Sequence, residues 1–301
     1  MSPPTTDLVP PASRLVGAWI ACVPVLFVVL WSTGYMGALY GLPHAEPFTF
    51  LFVRFAIVAV LMGLVSLATN APWPANWGAA GHLALTGVLI HGVTFMGLFS
   101  ALARDVPSGV MALIMGLQPL LTAVAAGPFL GETITARQWL GLVLGFAGVV
   151  VVIADRLDPT GADGAGIALA FVAMAGFTAG TLYQKRHGGA MHLRSGHAIQ
   201  FAAAALLTGA FSLAFETGVI RWTGEFVFGL AWLVVVLSLG AVSLLYLMLR
   251  RGQASKVVSL FYLVPPLTAL FGFTLFGETL GPLALAGMAV SIFGVALVTR
   301  Q

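Results

Sequence analysis

Apolar runs dominate the chain and are cut at short intervals by charges, prolines and polar clusters, which leaves ten runs. They cover about residues 16–40, 48–68, 79–102, 108–130, 138–154, 165–184, 197–215, 226–249, 257–277 and 281–299. A helix that crosses a bilayer needs roughly 20 apolar residues, so each run predicts a transmembrane helix. The period-two alternation of an outer-membrane barrel is absent. Connections are short, and consecutive helices are expected to be antiparallel neighbours. The first run, Leu15 to Tyr40, is uncharged. It is too long for the apolar core of a cleaved signal, about 7–15 residues, and reads as a retained helix.

Composition agrees. Of 301 residues, 59% are hydrophobic and 8% charged, against about 25% charged in soluble domains. A globule of this size cannot hide that much apolar surface, so lipid must cover it. The net charge of +3 is too small to signal nucleic-acid binding. The lone Cys22 excludes an intramolecular disulfide and any iron–sulfur or Cys-rich zinc site. Lys and Arg gather on the cytoplasmic side of membrane proteins. With the N-terminus inside, the inner loops and ends hold nine: Arg14, Arg137, Lys185, Arg186, Arg194, Arg250, Arg251, Lys256 and Arg300. The outer loops hold three, Arg104, Arg156 and Arg221, while Arg54 falls within a helix. Both termini are therefore expected in the cytoplasm.

A shift of 146 residues aligns the two halves without gaps. Pro119-Leu-Leu-Thr-Ala123 meets Pro265-Pro-Leu-Thr-Ala269, and Gly131-Glu132-Thr133 meets Gly277-Glu278-Thr279. Gly141 meets Gly287, Gly148 meets Gly294, Trp31 meets Phe177, and Arg54-Phe55 meets Gln200-Phe201. Five helices per half is an odd number, so the halves sit in the membrane with opposite orientation. The expected fold is an all-α integral membrane protein of ten transmembrane helices in two inverted five-helix repeats. Its parts are a tail over 1–15, a first repeat over 16–156, a linker over 157–164 and a second repeat over 165–301.

These motifs carry a family resemblance. The passage from Gln118-Pro119 through Gly131-Glu132-Thr133 to Gly141 and Gly148, repeated in the second half, resembles the EamA family of the drug/metabolite transporter superfamily. Trp31-Ser32-Thr33-Gly34 in the first helix resembles the YddG-type exporters of neutral and aromatic amino acids. The resemblance implies a central cavity and export across the bacterial inner membrane. No cofactor is expected. The implied partners are a small solute, with neutral amino acids foremost, and the lipid bilayer; a monomer suffices for transport.

Inverted repeats place a substrate site near the bilayer midplane where the halves meet, with alternating access by rocking of one bundle against the other. Candidate substrate contacts are Trp31, Thr33 and Tyr35 in helix 1; His91, Phe95 and Phe99 in helix 3; and Met115 and Gln118 in helix 4. In the second half they are Phe177, Tyr183, Ser243, Tyr246, Ser259 and Tyr262. His91 equally suits a neutral core histidine, and a minor reading gives it proton coupling. Gln118 equally suits a helix–helix hydrogen bond. Pro119, Pro265 and Pro266 each remove a backbone hydrogen bond deep in helices 4 and 9. They are candidate hinges, or static kinks. Arg54 is expected to snorkel outward or pair with Glu46, with a gating or substrate-carboxylate role as the alternative. Glu132 and Glu278 are expected as helix-terminal caps.

The sequence offers no paired carboxylates, no Ser/His/Asp or His-rich metal constellation and no phosphate loop. That disfavours an intramembrane enzyme, and no polar rings suggest a channel. A multidrug or lipophilic-cation exporter of the same superfamily is the alternative, since aromatic rings bind cations. The charge count gives the first testable outcome: a reporter active only in the periplasm, fused after Gln301, stays silent. A strong signal there reverses the orientation.

Overall fold

The computed structural model describes residues 11–154, 163–189, 191–276 and 281–300. Hydrocarbon offers the backbone no hydrogen-bond partner, so a spanning segment must satisfy itself as helix. Among the described residues ten helices are long and apolar enough to span. They are α1 (Cys22–His44), α2 (Pro47–Ala68), α3 (Trp77–Leu102), α4 (Gly109–Leu130), α5 (Ala136–Ile153), α6 (Gly164–His187), α7 (Leu193–Phe215), α8 (Gly224–Arg251), α9 (Ala254–Phe271) and α10 (Pro282–Thr299). Ten spans put both chain ends on one face, the termini face, and the loops after α1, α3 and α7 on the other. Arg156, Glu278 and most of the linker lie outside the described residues.

Local chemistry sets the helix ends. Thr135 and Gln138 form a reciprocal capping box at α5. Thr223 accepts from the Phe226 amide at α8, and Asp163 from the Ala165 amide at α6. Gly131 closes α4 in a left-handed conformation (φ 69°) that glycine adopts without strain. The charged ends differ from expectation. Lys185 and Arg186 occupy the last turn of α6, and Arg250 and Arg251 that of α8. Cations there complement the carbonyl ends of the helices, so the helix continues through residues that look like loop.

The two halves meet about a pseudo-two-fold axis that can be located from side chains. Residues related by the 146 shift can touch only where they lie near the axis. Among the described residues such pairs include Trp31 and Phe177, with ring centres 5.8 Å apart; Phe55 and Phe201, at 5.7 Å; and Gly145 and Ser291, whose hydroxyl donates to the Gly145 carbonyl at 3.4 Å. At the last crossing α5 and α10 pack backbone to backbone. A Cβ on Gly148 would stand 2.4 Å from the Ser291 nitrogen and 2.7 Å from the Gly287 oxygen. On Gly141 it would stand 2.6 Å from the Gly294 oxygen. Small residues let membrane helices approach this closely, and dispersion does the rest. Gly148→Leu should therefore lower the melting temperature in detergent by several degrees, from overpacking of about 1–3 kcal/mol or more. Gly63→Leu, at a position where a Cβ meets nothing within 4 Å, should leave it unchanged.

Candidate functional site

Helices that are interrupted in a membrane must leave their free backbone groups in protein or in a polar cavity. Five of the ten spans are interrupted. α1 breaks at Thr33, between helical Pro11–Ser32 and Gly34–Gly41. α4 breaks at Leu117, just before Pro119, and α9 passes through a tight 3-10 turn, Leu260–Leu263, just before Pro265 and Pro266. Prolines supply no amide and tolerate the first turn of a helix, which is where these sit. α3 and α8 widen into π-helical turns at the matched positions Val88–Val93 and Leu233–Ala241. Side chains repair part of the damage: Ser32 donates to the Val28 carbonyl, Thr33 to Leu30 and Thr94 to Leu89.

The interruptions surround a cavity of about 220 Å³. Its wall takes Trp31, Ser32 and Gly34 from α1, Arg54 from α2, and Thr94, Phe95, Leu98 and Phe99 from α3. Met115 and Gln118 come from α4, Phe177 from α6, Leu233 and Leu237 from α8, and Phe261, Val264, Pro265 and Thr268 from α9. One flank is aromatic. Phe261 meets Trp31 edge-on at 4.9 Å and Phe177 at 5.3 Å, a geometry the ring quadrupoles favour. Gln118 donates to Thr122 at 3.0 Å.

Arg54 is the charged member of the wall and does not do what the sequence suggests. It neither snorkels nor pairs with Glu46, being only 1% exposed. Its Nε and Nη2 donate to the Ser238 hydroxyl on α8, at 3.1 and 3.0 Å. Its guanidinium carbon sits 4.8 Å from the centre of the Phe95 ring and 5.3 Å from that of Phe55. Nη1 has no partner, and among the described residues Arg54 forms no ion pair. Glu46 instead accepts from the Thr217 hydroxyl and amide, at 2.6 and 2.7 Å. Those bonds hold its carboxyl below the usual carboxylate range.

The sequence candidates divide. Trp31, Phe95, Phe99, Met115, Gln118, Phe177 and Pro265 are together in the wall. His91 is not. It is fully buried behind the wall, stacked on Phe201 at 4.0 Å, and its Nε2 lies 3.2 Å from the Tyr246 hydroxyl. Tyr246 belongs to this same buried cluster, as does His197. Thr33 faces the α1 break and accepts from the Trp232 indole. Tyr183 lies at the termini-face end of α6, bonded to His82 at 2.6 Å. Ser259 is spent on the Lys256 carbonyl, and Tyr262 packs over Gly145. Ser243 is half-buried outside the wall, and Pro119 and Pro266 are buried beside it. The Tyr35 side chain lies outside the described residues. Phe261 and Thr94 are wall residues the pattern did not nominate, and Arg54 is one it offered only as the alternative to snorkelling. Phe261 is the 146-shift mate of Met115, a signal that was present in the repeat.

Access is one-sided. A vestibule of about 830 Å³ on the face opposite the termini shares Ala38 and Leu102 with the cavity. On the termini face the helix ends are tied, within the second half by Lys185 and between the halves by Glu132 and Gln138. Lys185 donates to the Leu249 and Gly252 carbonyls at 2.7 and 2.6 Å. Glu132 accepts from the Ala254 amide at 2.7 Å and from the Ser255 hydroxyl at 3.1 Å, capping the start of α9. Gln138 reaches Gln253 at 3.2 Å.

Comparison with known proteins agrees with this architecture. The EamA-like transporter family matches residues 18–154 and again 164–300. The chain is 26% identical to the uncharacterised transporter YvbV of Bacillus subtilis, over 93% of this chain and 92% of that one. It is 26% identical to a probable terminal-alkyne amino-acid exporter of Streptantibioticus cattleyicolor, over 92% of each. It is 24% identical to the uncharacterised inner membrane transporter YedA of Escherichia coli, over 90% of this chain and 87% of that one. A crystallised protein of 21% identity shares the fold with a TM-score of 0.77, covering 94% of this chain and 97% of its own.

The one-sided access is testable by labelling. With Cys22 replaced by serine, a cysteine at Leu102 should react with a water-soluble maleimide from the vestibule side. A cysteine at Val257, 6% exposed beneath the Glu132 tie, should not react from the termini side. Equal labelling of the two would contradict a closed termini face.

Proposed function

Because the chain belongs to the EamA-like transporter family, we propose that it exports neutral amino acids, aromatic ones included, and related metabolites by alternating access. It is a multi-pass membrane transport protein; the substrate, the direction and the bacterial inner membrane with cytoplasmic termini are our reading. The observation that carries it is the cavity between the repeats, enclosed by aromatic rings and a few fixed polar groups. At about 220 Å³ it is smaller than drug-sized pockets, roughly 300–1,000 Å³, and suits a small metabolite. The amino-acid exporter among the relatives supports the substrate class. On this reading the vestibule opens to the periplasm and the Lys185 and Glu132 ties close the cytoplasmic side.

The inverted repeat supplies the second state. Phe95, Leu98 and Phe99 line the cavity, while their mates Ala241, Leu244 and Leu245 are outside its wall, Ala241 and Leu245 fully buried. Exchange of these two packings between the halves would close the vestibule and open the other face. The breaks before Pro119 and Pro265 are where α4 and α9 bend in that exchange. Transport driven by the solute's own gradient fits a site without a mid-membrane carboxylate, and the protein acts as a carrier, not an enzyme.

Flux in proteoliposomes tests this. Phenylalanine, methionine and threonine should compete with one another at millimolar concentrations, about −4 kcal/mol. Trp31→Ala and Phe177→Ala should each weaken phenylalanine competition by roughly 1–3 kcal/mol. His91→Gln should change it little and should not alter the response to an imposed proton gradient. Preference for glutamate or lysine over phenylalanine would defeat the reading.

A further inference from the structure

Arg54 is held in a way that leaves one edge of its guanidinium idle. The group has five N–H donors in a fixed plane. The Nε proton and one Nη2 proton go to Ser238. The edge formed by Nη1 and the second Nη2 proton has no partner among the described residues. That edge presents two parallel donors, the geometry that receives a carboxylate bidentately. Phe55 and Phe95 flank the carbon of the same group and exclude water from its faces. A permanent cation in a dry wall without a counter-ion is a costly arrangement, and such residues inside membranes mark substrate pathways.

We propose that Arg54 is the carboxylate anchor of the central cavity, and that the site selects solutes bearing a single carboxylate. This rests on the cavity being the transport site. A zwitterionic amino acid seats its carboxylate on Nη1 and Nη2, and its ammonium and side chain extend toward the Trp31–Phe177–Phe261 flank, where ring faces attract a cation. Ser238 is a positioning residue: it orients the fork from the opposite half. Lipophilic cations, which the aromatic rings alone would welcome, meet an uncompensated positive charge and are rejected. A phosphate dianion brings a second negative charge for which the wall has no partner.

The test is ligand binding to the purified full chain, read by calorimetry and by thermal shift. The probes share a phenyl ring, and the first four a phenylpropyl skeleton: 3-phenylpropionate, 3-phenylpropanol, phenylalanine, phenylalaninamide and phenyl phosphate. In the wild type the two carboxylates should bind about tenfold or more tightly than their neutral or amide partners, and phenyl phosphate more weakly than 3-phenylpropionate. Arg54→Met should abolish that difference and Arg54→Lys should retain part of it. The ligand-free Arg54→Met protein should melt no lower than the wild type, because replacing a buried unpaired charge by an apolar side chain is often neutral or stabilising; a merely structural arginine would lower it. Equal binding of 3-phenylpropionate and 3-phenylpropanol in the wild type overturns the proposal. So does a carboxylate preference that survives in Arg54→Met, or tighter binding of phenyl phosphate. Binding of 3-phenylpropionate through Arg54 without binding of phenylalanine upholds the anchor and overturns the amino-acid reading instead.

Discussion

Inside a bilayer a backbone amide or carbonyl that lacks a partner costs several kcal/mol, because hydrocarbon offers none. That constraint makes all ten spans of this protein helical. It also determines where they are allowed to fail. α1, α4 and α9 break, and α3 and α8 widen, around the central cavity. The hydroxyls of Ser32, Thr33 and Thr94 recover carbonyls at these places. α2, α5, α6, α7 and α10 run uninterrupted. The helices that depart from regular geometry thus meet around the site, to which the regular helices α2 and α6 add Arg54 and Phe177, and the departures are tolerated because protein and cavity replace lipid around them.

The pseudo-two-fold axis explains how so few polar residues suffice. At the axis, Trp31 faces Phe177 and Gly145 faces Ser291, so each half meets its own counterpart. Around it the halves have diverged in chemistry. Arg54 corresponds to Gln200, which donates to Gln184 at 2.9 Å in the core of the second half. His91 corresponds to Leu237, which lines the cavity and lies against Gly34. The backbone repeats and the side chains do not. A symmetric scaffold can exchange two packings, while an asymmetric wall recognises one ligand in one orientation.

Much of this was legible in the sequence, and the limits are physical. Hydropathy and length give the ten helices, the gapless 146-residue shift gives the repeat, and an odd helix number per half gives the inversion. The orientation of side chains is a different matter. Successive residues of a helix point about 100° apart, and an apolar helix wrapped by lipid on one side and protein on the other carries little periodicity to fix its rotation. Phe95 and Phe99 reach the cavity while His91, on the same stripe, does not. His91 lies within the π-helical turn Val88–Val93, whose wider winding turns it off the face that Phe95 and Phe99 share in the regular helix that follows. Arg54 was misread for a related reason. Its distance from the helix end suggested the interface, but the rotation of α2 turns it toward Ser238 on α8, and Glu46 is already engaged by Thr217. Phe261 was recoverable from the repeat, because its mate Met115 was a candidate.

The position of Arg54 ties recognition to the conformational cycle. It projects from α2 in the first half and is oriented by Ser238 on α8 in the second. Any rocking of one half against the other must therefore carry or break this link. The guanidinium is already shielded from water while the cavity adjoins the vestibule. Closure removes the remaining water of the cavity, and a guanidinium without an anion becomes still more costly as the local dielectric falls. A carboxylate seated on the idle edge offsets that penalty in the closed form far more than in the open one. Only such a difference between states allows a ligand to shift a conformational equilibrium. On the proposed role of Arg54, the loaded carrier closes more readily than the empty one, and a single unpaired charge supplies both the selectivity for a carboxylate and the bias of the transport step.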